Sequence, residues 1–299
     1  MKQNLKVKEV ASKMSKPTLL DKIYPQKQYN VNGKIIKKPR NKMIFIAVLV
    51  IIIFIGMLFF IPIRNITIKF EQFPVIIEKM FSPNTGKTKS WAGWFLYIKE
   101  TVLPLMLETI NMCFLGTLFG ATLAIPFSIL AARNISKKGI IYQPVKLFMN
   151  FIRTIPTYVL AVIAMICFGI GLLTGVVAMT IFTFGLLTKM LYEVIETVDM
   201  GPFESLESAG AHKIEAFRYA VIPQILPIFI GYFIYAFEIN VRGSVILGYV
   251  GAGGIGLELD TAISEGAHYY DRVGAIVVVI FLVVLILQGF TRYARGKLQ

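Results

Sequence analysis

The chain has 299 residues, 56% of them hydrophobic and 16% charged, whereas a soluble domain carries roughly 45–50% and about 25%. Its 31 Lys and Arg outnumber 17 Asp and Glu, giving a net charge of +14. An ordinary soluble fold is excluded, and the expected class is an all-α, polytopic membrane protein of about six transmembrane helices.

Residues 1–42 read as a basic cytoplasmic tail, expected to be flexible, with twelve Lys and Arg. The basic stretch is too long, and the apolar core that follows too extended, for a cleavable signal peptide. A transmembrane helix needs about 20 apolar residues, and the uncharged window 43–63 is the first expected span. Residues 64–100 are expected as an extracytoplasmic loop. Within it Phe81 to Thr88 ends like a Walker A loop, but Phe81 stands where the first glycine belongs, so no nucleotide site is expected. The second span, Thr101 to Ala132, carries one charge, Glu108. Thr154 to Thr188 is uncharged and too long for one span, with Gly169, Gly171 and Gly175 in its middle. With its flanks it reads as a hairpin of two helices, roughly 146–168 and 174–194. Arg153 and Lys189 then lie near one membrane face, where long cations reach water. A polar segment, residues 204–223, leads to the fifth span, 227–250; the last span is 273–291, and 292–299 is a short cytoplasmic tail.

Cytoplasmic loops retain positive charge. With the N-terminus inside, the inner segments hold twenty Lys and Arg and the outer segments seven, so both termini and residues 204–223 are expected in the cytoplasm. This distribution beside spans fits topology and attraction to anionic lipids better than nucleic-acid binding. Cys113 and Cys167 fall within spans and read as small packing residues. His212 and His268 have no second ligand nearby, so no metal site is expected.

Polar residues inside spans are expensive and usually face a partner or a water-filled path. Glu108, Thr109 and Asn111 lie in the second span, where Glu108 is expected to hydrogen-bond between helices. Glu238, Asn240, Arg242 and Ser244 in the fifth are the candidate translocation path. Glu238 and Arg242 are four residues apart and can pair on one helical face; alternatively Arg242 lines the path and attracts an anion. Gly251, Gly253, Gly254 and Gly256 satisfy G-x-G-x-x-G but follow a membrane helix instead of opening a βαβ unit, which argues against a dinucleotide site. They read either as a helix-ending turn or as a gate where backbones approach closely.

In the polar segment, Glu204 is followed six residues later by Gly210, and thirteen further on by Pro223 in the run Ala220-Val221-Ile222-Pro223. This resembles the EAA signature of ABC import permeases, E-A-A, three residues, Gly, nine residues, I-x-L-P. Glu, Gly, Pro and the spacing match; Ser205 and Leu206 stand for the alanines, and Ala220 and Ile222 for Ile and Leu. The blocks Phe151 to Pro156, Phe237 to Arg242 and Val250 to Gly256, with the helix from Glu108-Thr109 to Arg133-Asn134, are similar to the permease of phosphonate ABC transporters over about residues 101–291. The resemblance implies a type I ABC importer permease (MetI-like) fold with five helices in 101–291. It also implies a subunit with no catalytic residues or cofactor of its own. Two ABC ATPase subunits would hold ATP-Mg and be contacted through Glu204, Ser205, Leu206, Gly210, Ala220, Ile222 and Pro223. A second permease subunit and an extracytoplasmic phosphonate-binding protein complete the implied assembly. Runner-up readings are an ABC permease for another small solute, such as an amino acid, and a secondary transporter working without ATP.

Overall fold

A computed structural model of the chain describes residues 28–31, 34–37, 42–60, 70–84, 86–136 and 139–298. Most of the basic tail, the end of the first expected span, residues 64–69, Thr85 of the Walker A look-alike, and Lys137 and Lys138 of the inner cation count lie outside the described residues. The chain divides into two units, residues 1–69 and 70–299.

In the first unit, strands β1 (Gln28–Val31) and β2 (Lys34–Lys37) pair antiparallel, with Val31 opposite Lys34. The basic tail thus carries a short hairpin among its described residues. Helix α1 (Lys42–Phe60) follows; its 19 residues span about 28 Å at 1.5 Å each, close to the roughly 30 Å hydrocarbon core.

The second unit is helical throughout its regular structure. It contains α2 (Gln72–Met80), α3 (Trp91–Ala131), α4 (Gly139–Thr154), α5 (Thr157–Phe168), α6 (Leu172–Thr197), α7 (Gly201–Ser208), α8 (Lys213–Ala252), α9 (Gly254–Ser264) and α10 (Tyr270–Leu298). Four of these, α3, α6, α8 and α10, are long and apolar enough to cross a membrane, and α4 with α5 makes a fifth span if the bent pair counts as one.

That pair corrects the expected single helix 146–168. The two helices meet at 87°, at Ile155 and Pro156. Pro156 has no N–H to continue α4, and proline disfavours helical dihedrals in the residue before it. Alone, the 12 residues of α5 reach only about 18 Å.

Two prolines shape the long helices in a second way. Pro104 and Pro223 each follow a π-helical turn, Ile98–Val102 in α3 and Phe217–Val221 in α8. Each proline deprives the carbonyl four residues earlier of its donor, and the wider turn takes up the mismatch. The helix carrying the fifth span therefore begins at Lys213, well before Pro227.

The core forms where α3 and α6 pack along each other. Gly116 and Gly120 lie one turn apart on α3, and a Cβ on either would come within 2.6 Å of a Cβ on Met179 or Thr183 of α6. Lipid supplies no hydrophobic drive between helices, so close backbone approach through small residues has to hold the pair. Cys113, Thr117, Ala121 and Ala124 complete the buried small-residue stripe on α3. Asp271 at the start of α10 clasps the segment before α3 and the first turn of α3. Its Oδ2 accepts from Thr88 N at 2.8 Å and Thr88 Oγ1 at 2.6 Å, and its carbonyl accepts from Trp94 Nε1 at 2.9 Å. The Walker A look-alike thus ends in a structural clasp, with Lys87 N donating to His268 O.

Candidate functional site

The segment between α6 and α8 exposes a short helix on an apolar foot. Phe203 and Leu206, three residues apart on α7, pack on the cluster containing Leu191, Ile195 and Val221. Glu204, Ser205, Glu207 and Ser208 face outward. Leu206 therefore has an anchoring role that an alanine would fill poorly. Gly210 has φ +95°, a left-handed conformation that glycine adopts without a Cβ penalty; it turns the chain from α7 into α8. Ala220 is buried, while Ile222 and Pro223 are exposed on the first turns of α8. Beside α7 lies an open cleft of about 660 Å³, lined among others by Asn134, Ile141, Phe203, Glu207, Lys213 and Ile214.

Several helix ends converge near the far end of α8. Its last turn breaks at Val250 and Gly251, and Gly251 and Gly253 both have positive φ. Gly171, between α5 and α6, donates its N–H to Gly251 O at 2.9 Å. Thr109 Oγ1 of α3 accepts from Ile255 N at 2.9 Å and donates to Leu105 O at 2.7 Å, tying the first turn of α9 to α3. Gly256 serves a different purpose, because α8 and α9 cross there and a Cβ on Gly256 would overlap Gly248 and the Val245 carbonyl. The turn and close-approach readings coincide at Gly251 and Gly254, which combine a positive φ with a near side chain, Met165 and Thr109 respectively, whereas Gly256 meets only backbone.

The candidate path residues separate by environment. Asn240 is buried and its Nδ2 donates to Thr117 Oγ1 and Thr183 Oγ1, both at 2.8 Å, joining α8 to α3 and α6. Ser244 is buried and donates to Val241 O at 2.7 Å. Arg242 has a side chain 48% exposed and pairs with Glu238 Oε1. Glu238 is 7% exposed, and its other oxygen accepts from Thr291 Oγ1 at 2.9 Å and lies 3.5 Å from Arg295 Nη2 of α10.

The model of the family "binding-protein-dependent transport system inner membrane component" matches residues 124–294. The chain belongs to this family. It is a multi-pass membrane transport component, and the matched region contains the α7 segment, Glu238, Arg242 and the glycines from Gly171 to Gly256, and stops one residue before Arg295. The phosphate-import permease protein PhnE of Mycolicibacterium smegmatis is 36% identical over 191 residues, covering 64% of this chain and 36% of that protein. The phosphite transport system permease protein PtxC of Stutzerimonas stutzeri is 31% identical over 190 residues, covering 64% of this chain and 68% of the relative. The chain thus spans little more than a third of the first relative's length and about two thirds of the second's. An inward-facing crystal structure of the MetNI methionine ABC transporter superposes with a TM-score of 0.59 at 21% identity, over 68% of this chain and 98% of that one. The fold is therefore that of the permeases of type I ABC importers.

In the sequence Arg295 falls in a terminal tail and Thr291 at a span's edge, so the contact of a second helix with Glu238 is not visible there. The signal available is their four-residue spacing, which puts both on one face if α10 continues past residue 291. Glu108, expected to bond between helices, is exposed and has no hydrogen bond among the described residues. Helix α3 turns the adjacent Thr109 inward instead.

Proposed function

We propose that this chain is the membrane-embedded subunit of an ATP-driven importer for phosphonate or a related small phosphorus oxyanion. Both termini are cytoplasmic, in keeping with twenty Lys and Arg on the inner segments against seven on the outer. Two such subunits, or this one and a paralogue, enclose the path; two ATPases bind ATP-Mg; an extracytoplasmic binding protein delivers the anion. Helix α7 is the coupling element: Glu204 and Ser205 meet the ATPase, while Phe203 and Leu206 transmit its movement to α6 and α8.

The observation carrying the substrate class is Arg242, a half-exposed cation within the fifth span, in a chain whose relatives are named for phosphate and phosphite. Fixed cations favour anions in a path. The reading is tested by reconstituting the chain with candidate ATPase and binding proteins and measuring ligand-stimulated ATP hydrolysis. Stimulation and uptake are expected with methylphosphonate, phosphite or phosphate. Stimulation by an amino acid alone, or uptake without ATP, would overturn it.

A further inference from the structure

Arg242 occupies only one oxygen of Glu238; the other faces a separate basic cleft. Arg295 reaches that second oxygen at 3.5 Å and donates from Nε to Thr291 O at 3.4 Å. Both contacts are long compared with the roughly 2.7–2.9 Å of a firm charge-assisted hydrogen bond. A guanidinium has five N–H donors, so with two engaged, three on Arg295 have no partner among the described residues. Its plane lies near Tyr235, with 5.9 Å to the ring centroid. Arg292 has neither an ion pair nor a hydrogen bond among the described residues. A cleft of about 400 Å³ is lined by Glu238, Gln288, Arg292, Arg295 and Gly296, within the roughly 300–1,000 Å³ usual for ligand pockets. Among the described residues that line it, Glu238 is the only carboxylate, and it is shared with Arg242.

We propose that this cleft is a second oxyanion site, taking a phosphate or phosphonate group on Arg292 and Arg295, with Gln288 as a neutral donor and Glu238 as the competing internal anion. The proposal rests on the oxyanion-permease reading and adds a site distinct from Arg242. Guanidinium forks match the oxygens of a phosphorus oxyanion in geometry and charge. An arriving anion exchanges one acceptor on Arg295 for another, and the contact it displaces is already long. Glu238 stays held by Arg242 and Thr291 after the exchange, so no buried carboxylate is stranded. The same chemistry is offered by a free oxyanion on its way through the protein and by the phosphate of a lipid headgroup at the end of α10.

The full-length chain, purified in a maltoside detergent that contains no phosphate, is titrated calorimetrically with inorganic phosphate and separately with dioctanoyl phosphatidic acid. Saturable binding is expected, weakened at least tenfold by Arg292→Gln with Arg295→Gln and unchanged by Lys297→Gln on the same helix end. Glu238→Gln, which removes the competitor, should tighten binding several-fold. Phosphate binding that phosphatidic acid does not require assigns the site to free anion, and binding of phosphatidic acid alone assigns it to lipid; either supports the site. Absence of arginine-dependent binding with both probes, or equal loss in Lys297→Gln, overturns it. Should the reconstituted wild-type complex import no phosphorus oxyanion while arginine-dependent binding persists, the transport reading fails and this site stands.

Discussion

Glu238 accepts from three side chains on two helices: Arg242 on its own helix, and Thr291 and Arg295 on α10. Removing one member of an isolated buried ion pair costs roughly 3–5 kcal/mol, because the other charge is stranded. Here Arg242→Ala leaves Glu238 with two partners, so the cost should fall below that range. The informative change is Glu238→Gln with Arg242→Gln, which removes both charges and keeps polar volume. We expect this double variant to assemble with its ATPase and retain basal ATP hydrolysis while losing at least tenfold in oxyanion uptake. Near-normal uptake by the well-folded protein would make the pair purely structural. Asn240 provides the contrast. Its two bonds to threonines join three helices inside one chain, and such bonds average about 0.6 kcal/mol in membrane proteins, at most roughly 1.7. Asn240→Leu should therefore lower the thermal unfolding midpoint in detergent by a few degrees and leave substrate preference unchanged; a switched preference would mean that Asn240 reaches the path.

Among elements, α7 is distinguished by having an anchored face and a bare one. Glu204→Lys reverses charge on the bare face without touching the anchor, and Gly210→Val forces a β-branched residue to φ +95°, a strain of about 1–3 kcal/mol. Both variants are expected to insert normally but to lose co-purifying ATPase and uptake together. Assembly and uptake at wild-type level would remove α7 from the coupling role. Leu206→Asp should do the same by a different route, loosening the foot instead of the contact. Where α8 and α9 cross, Gly256→Val should be harsher, because the new side chain meets backbone on Gly248 and Val245 that cannot rotate away. Loss of the monodisperse gel-filtration peak is the expected readout, and a normal peak would show that the crossing can open.

For the molecule as a whole, topology is the first thing to test. With Cys113 and Cys167 replaced, Ser205→Cys should resist a membrane-impermeant thiol reagent in intact cells and react after permeabilisation, whereas Lys89→Cys should react in intact cells. The opposite pattern would invert the proposed orientation. Much of this architecture is legible in the chain itself. Apolar windows of about 20 residues with few or no charges mark the spans, because charge is costly in lipid. The Glu204, Gly210 and Pro223 spacing marks the segment proposed for coupling, and helical periodicity by itself allows the Glu238–Arg242 pair. These are local properties, set by residues within a few turns of one another. What only the tertiary structure decided are the relations between distant segments: the meeting of Gly171 with Gly251, the bonds from Asn240 to Thr117 and Thr183, the half-exposed position of Arg242, and the arrival of Arg295 at Glu238 across 57 positions. Periodicity states which residues share a face of one helix, but the identity of the helix opposite is fixed by close packing of small residues, and that packing depends on all the helices together.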